Sequence, residues 1–271
     1  MLKQRILSSL GVWSLLAFVL YAFKTSGVVC LIILLAGIAQ IEFSVLLKSD
    51  CCQILFDLLL SVCFIVGYVW TAENFYAYVD LVYAIALIFI CNRSVFVGKT
   101  AKSFLVSLFC FWYFSINLHF FLKVLDLYQW RYATGLSVIV WMVLVTKLTD
   151  VGGFCIGCWI GRHRLAPAVS PKKTWEGVMG GISFALLGGW FYCIACKAYL
   201  PANFSGYKCA LFAVIMAWGS IVSDLLESLL KRQLNTKDSG HIIPGIGGVL
   251  DLIDSLLLNA PLGYVLFKYF C

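Results

Sequence analysis

The sequence predicts an all-α, polytopic integral membrane protein with about nine transmembrane helices, and three observations carry that prediction. Of 271 residues, 62% are hydrophobic and only 12% are charged, where an ordinary soluble domain carries about 25% charged residues. Mean hydropathy is +0.96, which leaves too little polar surface to coat a soluble globule. The apolar residues come in long runs and do not alternate, which argues against a membrane β-barrel. The same composition excludes a disordered chain and a nucleic-acid partner.

A helix crosses a bilayer with about 20 apolar residues, within a range of about 17–25. Candidate spans are 6–23, 26–47, 52–71, 75–91, 103–122, 132–149, 178–200, 208–230 and 249–270. Lys3 and Arg5 precede the first, as in a signal peptide. No small-residue cleavage site follows, so 6–23 is kept as a span. With the N-terminus inside, fourteen of the twenty Lys and Arg residues fall on cytoplasmic segments, in line with the positive-inside rule. The C-terminus is then expected outside. Residues 1–130 have short loops and few intramembrane charges, and read as a transmembrane scaffold. Residues 131–271 read as the functional region, with cytoplasmic loops at 150–177 and 231–248.

The twelve cysteines lie mostly in apolar stretches, as small buried hydrophobes, and no disulfide framework is expected. Two C-x-x-C pairs occur, Cys155/Cys158 and Cys193/Cys196, but the gap between them is too long for a zinc ribbon.

Ionised groups inside a bilayer usually face a protein interior or a wet cavity. In the eighth span Asp224 and Glu227 are spaced i, i+3 on one helical face, with Ser220, Ser223 and Ser228 nearby. In the ninth span Asp251 and Asp254 repeat that spacing. Buried ion pairs with Lys231, Arg232 and Lys237 are one reading. A divalent metal site is the other, since Mg²⁺ takes carboxylate oxygens together with substrate phosphates. Four acids and three bases allow either. The lone acids Glu42, Asp57 and Asp80 are expected to be helix–helix hydrogen-bond partners.

Between these spans, Lys237 and Asp238 are followed by Gly240, Gly245, Gly247 and Gly248. Glycine lets backbone amides approach an anion, and the next helix N-terminus adds a favourable dipole, so Gly247 and Gly248 are candidate phosphate contacts. The earlier loop carries Ser170, Lys172, Lys173 and Thr174, a compact set of phosphate ligands. A basic loop resting on anionic lipid head groups is the plainer alternative.

Together these loops resemble the phosphatidate cytidylyltransferases, or CDP-diacylglycerol synthases. The C-terminal signature of that family, S-x-x-K-R-x(4)-K-D-x-G-x-x-x-P-G-H-G-G-x-x-D-R-x-D, is matched by Ser228, Lys231, Arg232, Lys237, Asp238, Gly240, Pro244, Gly245, Gly247, Gly248, Asp251 and Asp254. The run S-P-K-K-T-W-E-G at 170–177, and Asp150 with its Gly-rich turn, match a second block. The resemblance is specific over about 150–258. Ile246 stands where the family has His, and Leu252 where it has Arg.

The resemblance implies transfer of the cytidylyl group of CTP to phosphatidate, giving CDP-diacylglycerol and pyrophosphate for phospholipid biosynthesis. It implies Mg²⁺ as cofactor, with a second cation left open. The expected metal residues are Asp224, Asp251, Glu227 and Asp254, and the expected catalytic residues are Asp224, Asp251, Lys237 and Asp238. Ser170, Lys172, Lys173, Thr174, Lys231, Arg232, Gly247 and Gly248 would bind substrate, while His241 would be a polar contact. CTP, phosphatidate and membrane lipids are the expected partners, and a homodimer stays open. The site would face the cytoplasm from a bacterial inner membrane. Three alternatives are weighed. A CTP-dependent lipid kinase would need a base. A cation-coupled transporter would spread its acids through both halves. A weakly active relative would owe its state to Ile246 and Leu252.

Overall fold

The computed structural model describes residues 2–70, 101–128, 131–234, 236, 239–240 and 247–271. Helix α1 (Leu2–Leu46) breaks at Lys24, whose φ of 47° and ψ of −127° are not helical. This is where the sequence separates the spans 6–23 and 26–47. Helix α2 (Cys51–Trp70) follows. Helix α3 (Ala101–Cys110) passes through a π-helical turn, Phe111–Ile116, into α4 (Asn117–Leu127). The wide π turn loosens the ordinary carbonyl ladder, and Asn117 Nδ2 donates to the carbonyls of Trp112 at 3.2 Å and Tyr113 at 2.9 Å.

Helix α5 (Tyr132–Ile160) leads into an antiparallel pair, β1 (Arg164–Ala166) and β2 (Ser170–Thr174), with Arg164 opposite Thr174. Then come α6 (Trp175–Ala195), α7 (Gly206–Gln233) and α8 (Val249–Phe270). Among the described residues, seven helices are long and apolar enough to cross a membrane. The expected span 75–91 lies outside the described residues, as does Asp80.

The segment 150–177 is not one loop. Helix α5 continues to Ile160, and the remainder is the β1–β2 hairpin and the start of α6. The glycines that suggested a loop are contact surface. Gly152, Gly153 and Gly157 on α5 lie against Gly180 and Gly177 on α6. A methyl group on Gly181 would sit 2.7 Å from the Thr149 carbonyl oxygen. Small residues let two helical backbones approach closely in an apolar medium, and that contact outweighs the poor helix propensity of glycine.

The chain divides into two compact units, Met1–His119 with Asp238–Leu252, and Phe120–Lys237 with Ile253–Cys271. In the first, a polar seam runs between α1, α2 and the α3–π segment. Ser61 Oγ donates to Gln40 Oε1 at 2.8 Å, Ser115 Oγ to Ser61 Oγ at 2.7 Å, and Gln53 Nε2 to Ser107 Oγ at 3.2 Å. Asp57 is buried in this unit. In the second, Asn259 Nδ2 ties three helices by donating to Thr146 Oγ1 at 2.8 Å and the Met216 carbonyl at 3.0 Å. Trp141, Phe204, Phe212 and Phe267 pack edge to face or tilted, with ring centroids 5.0–5.7 Å apart.

Gly181→Ala is expected to destabilise the protein by about 1–3 kcal/mol, the usual cost of overpacking. Gly153→Ala, whose added methyl would meet nothing nearer than 3.6 Å, is expected to be neutral or to stabilise by up to about 1 kcal/mol through helix propensity. Thermal melting of the two variants in detergent checks the difference.

Candidate active site

In the second unit, α5, α7 and the part of α8 from Ile253 onward each bring an acid toward the same end of the bundle. The i, i+3 spacing on α7 puts Asp224 and Glu227 on one face, and α8 contributes Asp254. One carboxylate oxygen from each of the three lies within 4.8 Å of the other two, the one such group of potential metal ligands among the described residues. Glu227 and Asp254 are buried, and Asp224 is half-buried. Ser223 Oγ donates to the Asp254 carbonyl, and the Ser255 amide donates to Asp254 Oδ1 at 2.5 Å.

Glu227, Asp224 and the neighbouring Asp150 each have a cation or hydroxyl partner. Lys231 Nζ is 2.9 Å from Glu227 Oε2, one turn along α7. Lys173 Nζ, from β2, is 2.5 Å from Asp224 Oδ2. Asp150, on α5, accepts from Ser220 Oγ at 3.0 Å and Ser255 Oγ at 2.9 Å. Lys147 Nζ bridges Asp150 Oδ2 at 3.3 Å and Ser255 Oγ at 2.8 Å.

Next to this cluster is a cavity of about 260 Å³. Asp150, Asp224, Lys172, Lys173 and Thr174 give it a polar side, and Phe154, Leu165, Val178 and Ile221 an apolar one. The glycines of α5 and α6 also line it, because they leave room where side chains would stand. Thr174 is the N-cap of α6, and its hydroxyl accepts from the Gly177 amide at 3.1 Å. Ser170 opens β2 opposite Ala166. Arg232 Nε donates to the Val169 carbonyl at 3.4 Å, joining the end of α7 to the hairpin turn.

The first unit holds the other part of the motif. Asp251 Oδ2 accepts from Ser239 Oγ at 2.8 Å, the Ser239 amide at 3.4 Å and the Gly248 amide at 2.8 Å. Gly247 has φ +122°, and a methyl group there would meet Asp251 Oδ2, so only glycine suits this turn. Glu42, from α1, is buried and receives the N–H groups of Val249 at 2.9 Å and Leu250 at 2.8 Å. A carboxylate at a helix N-terminus satisfies amides that have no intrahelical partner.

Of the residues singled out from sequence, Asp224, Glu227, Asp254, Lys172, Lys173, Thr174 and Lys231 share one neighbourhood in the second unit. Asp251, Gly247 and Gly248 belong to the first. There the Gly248 amide is already bonded to Asp251, which differs from the expected open cradle for substrate phosphate. Lys237, Asp238, His241 and Ile246 lie outside the described residues. Sequence reasoning passed over Lys147, whose i, i+3 spacing from Asp150 was a usable signal. It gave Glu42 only a generic helix–helix role. Nothing local marks a partner 207 positions away.

A family model described as "Cytidylyltransferase family" matches residues 3–270. The chain is 33% identical over 198 residues to a phosphatidate cytidylyltransferase of Staphylococcus haemolyticus, covering 71% of each chain. It is 35% identical over 158 residues to one of Bacillus subtilis, covering 58% of this chain and 56% of that one. With one of Brucella suis it shares 39% over 131 residues, covering 48% of this chain and 47% of that one. The matched segment thus spans about half the length of the latter two relatives.

Glu42→Ala leaves two amides at the start of α8 without their acceptor, a loss of about 1–3 kcal/mol of local stability. Hydrogen exchange of a peptide covering 247–256 is expected to speed up in Glu42→Ala and to stay unchanged in Ile41→Ala, whose side chain is exposed.

Proposed function

The chain belongs to the cytidylyltransferase family, and from that membership and the site geometry we infer that this integral membrane protein transfers the cytidylyl group of CTP to phosphatidate. The observation that carries this reading is the Lys173–Asp224 contact of 2.5 Å. It joins the S-P-K-K-T block to the acid-bearing helix inside one cavity.

A phosphate oxygen of phosphatidate attacks the α-phosphorus of CTP. A new P–O–P linkage forms, the bond to the β-phosphate breaks, and pyrophosphate leaves with the electron pair. A phosphate monoester is largely ionised near pH 7, with a second pKa of about 6, so the attacking oxygen needs no general base. The protein's task is to hold two anions in line and offset their repulsion. Lys172 and Lys173 are assigned to phosphate binding, because they stand on the polar side of the cavity. The apolar side suits the glycerol and upper acyl portion of the lipid. Lys231 and Arg232 are assigned to the cytoplasmic rim of the site. Thr174 caps α6 beside the cavity that it lines, and Ser170 stays assigned to substrate by motif alone. Gly247, Gly248 and Asp251 shape the loop before α8, and Lys237 and Asp238 stay assigned by motif alone.

The donor set fits Mg²⁺. Asp224, Glu227 and Asp254 offer hard oxygens within 4.8 Å of one another, the ligand type this ion prefers. Counting Asp150, four carboxylates face the three ammonium groups of Lys147, Lys173 and Lys231, which leaves one formal negative charge. Asp224, Glu227 and Asp254 would hold the ion, and when bound it would neutralise phosphate charge during transfer. The bias of basic residues supports a site at the cytoplasmic face of a bacterial inner membrane, where CTP is available.

With purified protein, phosphatidate and Mg²⁺, label from α-labelled CTP is expected in the lipid phase and label from γ-labelled CTP in the water phase as pyrophosphate. γ-Label in lipid would overturn the reading in favour of a kinase. Asp224→Asn and Asp254→Asn are each expected to lower kcat/KM by about 100-fold or more, as for loss of an essential electrostatic group. Retention of turnover within about threefold in folded variants would refute the metal assignment.

A further inference from the structure

The chain carries a second pair of chemically competent groups, remote from the acids. Cys193 lies in the last turn of α6, and Cys209 lies in the first turn of α7. Their sulfurs are 2.7 Å apart. About 0.7 Å of closure separates this from a disulfide bond of about 2.05 Å. Cys209 is buried, with its sulfur 3.3 Å from the Gly189 carbonyl, while Cys193 is partly exposed. In sequence Cys193 stands in a C-x-x-C pair with Cys196, but in the fold its sulfur lies against that of Cys209.

The side of the membrane matters. In the orientation proposed above, the α6–α7 connection at 196–205 faces outward, away from the reducing cytoplasm. We propose that Cys193 and Cys209 are a disulfide-forming site at the outer membrane face, oxidised by an external disulfide. This rests on the proposed orientation and not on the transferase chemistry. Cys193, the more accessible of the two, loses its proton and attacks one sulfur of the oxidant, forming a mixed disulfide and releasing one thiolate, which takes up a proton. Cys209 then attacks the Cys193 sulfur and displaces the second. One S–S bond breaks and one forms. The protein gives up two electrons and two protons, and the oxidant takes them as two thiols. The product staples the α6–α7 hairpin at the end far from the acid cluster.

The test uses the full chain expressed in bacterial spheroplasts. They are reduced, washed, and exposed to oxidised glutathione, which does not cross the membrane. Free thiols are then trapped with N-ethylmaleimide and the digest is read by mass spectrometry. The expected result is a Cys193–Cys209 cross-linked peptide, retained in Cys196→Ser. In Cys209→Ser the Cys193 peptide is expected not to form that bridge. Alkylation of both cysteines in spheroplasts, or a Cys193–Cys196 bridge, would overturn the proposal. A parallel arm in detergent shows which premise failed. Bridging in detergent alone refutes the outward placement, and no bridging in either arm refutes the pairing.

Discussion

An ionised carboxylate in an apolar bundle is tolerated only when a cation or several hydrogen-bond donors stand beside it. The second unit is organised around that constraint. Glu227 has a side chain only 2% exposed and is paired with Lys231, itself 14% exposed. Asp150 is held by Lys147 and by two serines from other helices. Removing one partner of a buried pair costs about 3–5 kcal/mol, whereas an exposed pair contributes about 0–1 kcal/mol. By that measure the His163–Glu176 contact at 2.6 Å, with the histidine side chain 79% exposed, is a minor feature. The lysines of the acid cluster are as necessary to the fold as to any ligand.

The glycine contact between α5 and α6 determines where one of those lysines stands. Because Gly177 backs onto Gly153 and Gly157, the N-terminus of α6 is pulled close to α5. The Thr174 hydroxyl closes that N-terminus, which ends β2 immediately before the helix. Lys173 is therefore delivered to Asp224 by a strand end of defined position and not by a loose loop. The same absence of side chains leaves the cavity beside it. Packing and site geometry have one cause here.

This also explains what was legible in the sequence. Long apolar runs report helices directly, so α2, α7 and α8 and the break at Lys24 were readable. The shared face of Asp224 and Glu227 was readable because helical periodicity fixes it, whereas Asp251, i, i+3 from Asp254, turns to Ser239 and Gly248 instead. The continuation of α5 through Gly152, Gly153 and Gly157 was not, since its cause is the matching glycine surface of α6. Local propensity predicts a loop there, and the tertiary contact decides otherwise. Glu42 was opaque for a related reason. Its partners are backbone amides, which carry no sequence signature at all.

Glu42 and Asp251 bear on how phosphate is recognised. A glycine-rich turn at a helix N-terminus usually invites an external anion. Here the amides of Gly248, Val249 and Leu250 already bond to carboxylates of the chain itself. Two negative charges near the positive end of α8 also reduce its pull on further anions. The backbone of this turn is thus committed to shape. In the proposed function, phosphate recognition is assigned to side chains, and ammonium groups suit it well. A lysine is a flexible point charge that can exchange one oxygen partner for another. Backbone amides locked to Glu42 cannot do so without undoing the start of α8. The turn at 247–250 is fixed in shape, while a cation such as Lys173 is exchangeable. An enzyme that must bind two anions and release two others needs contacts of the second kind.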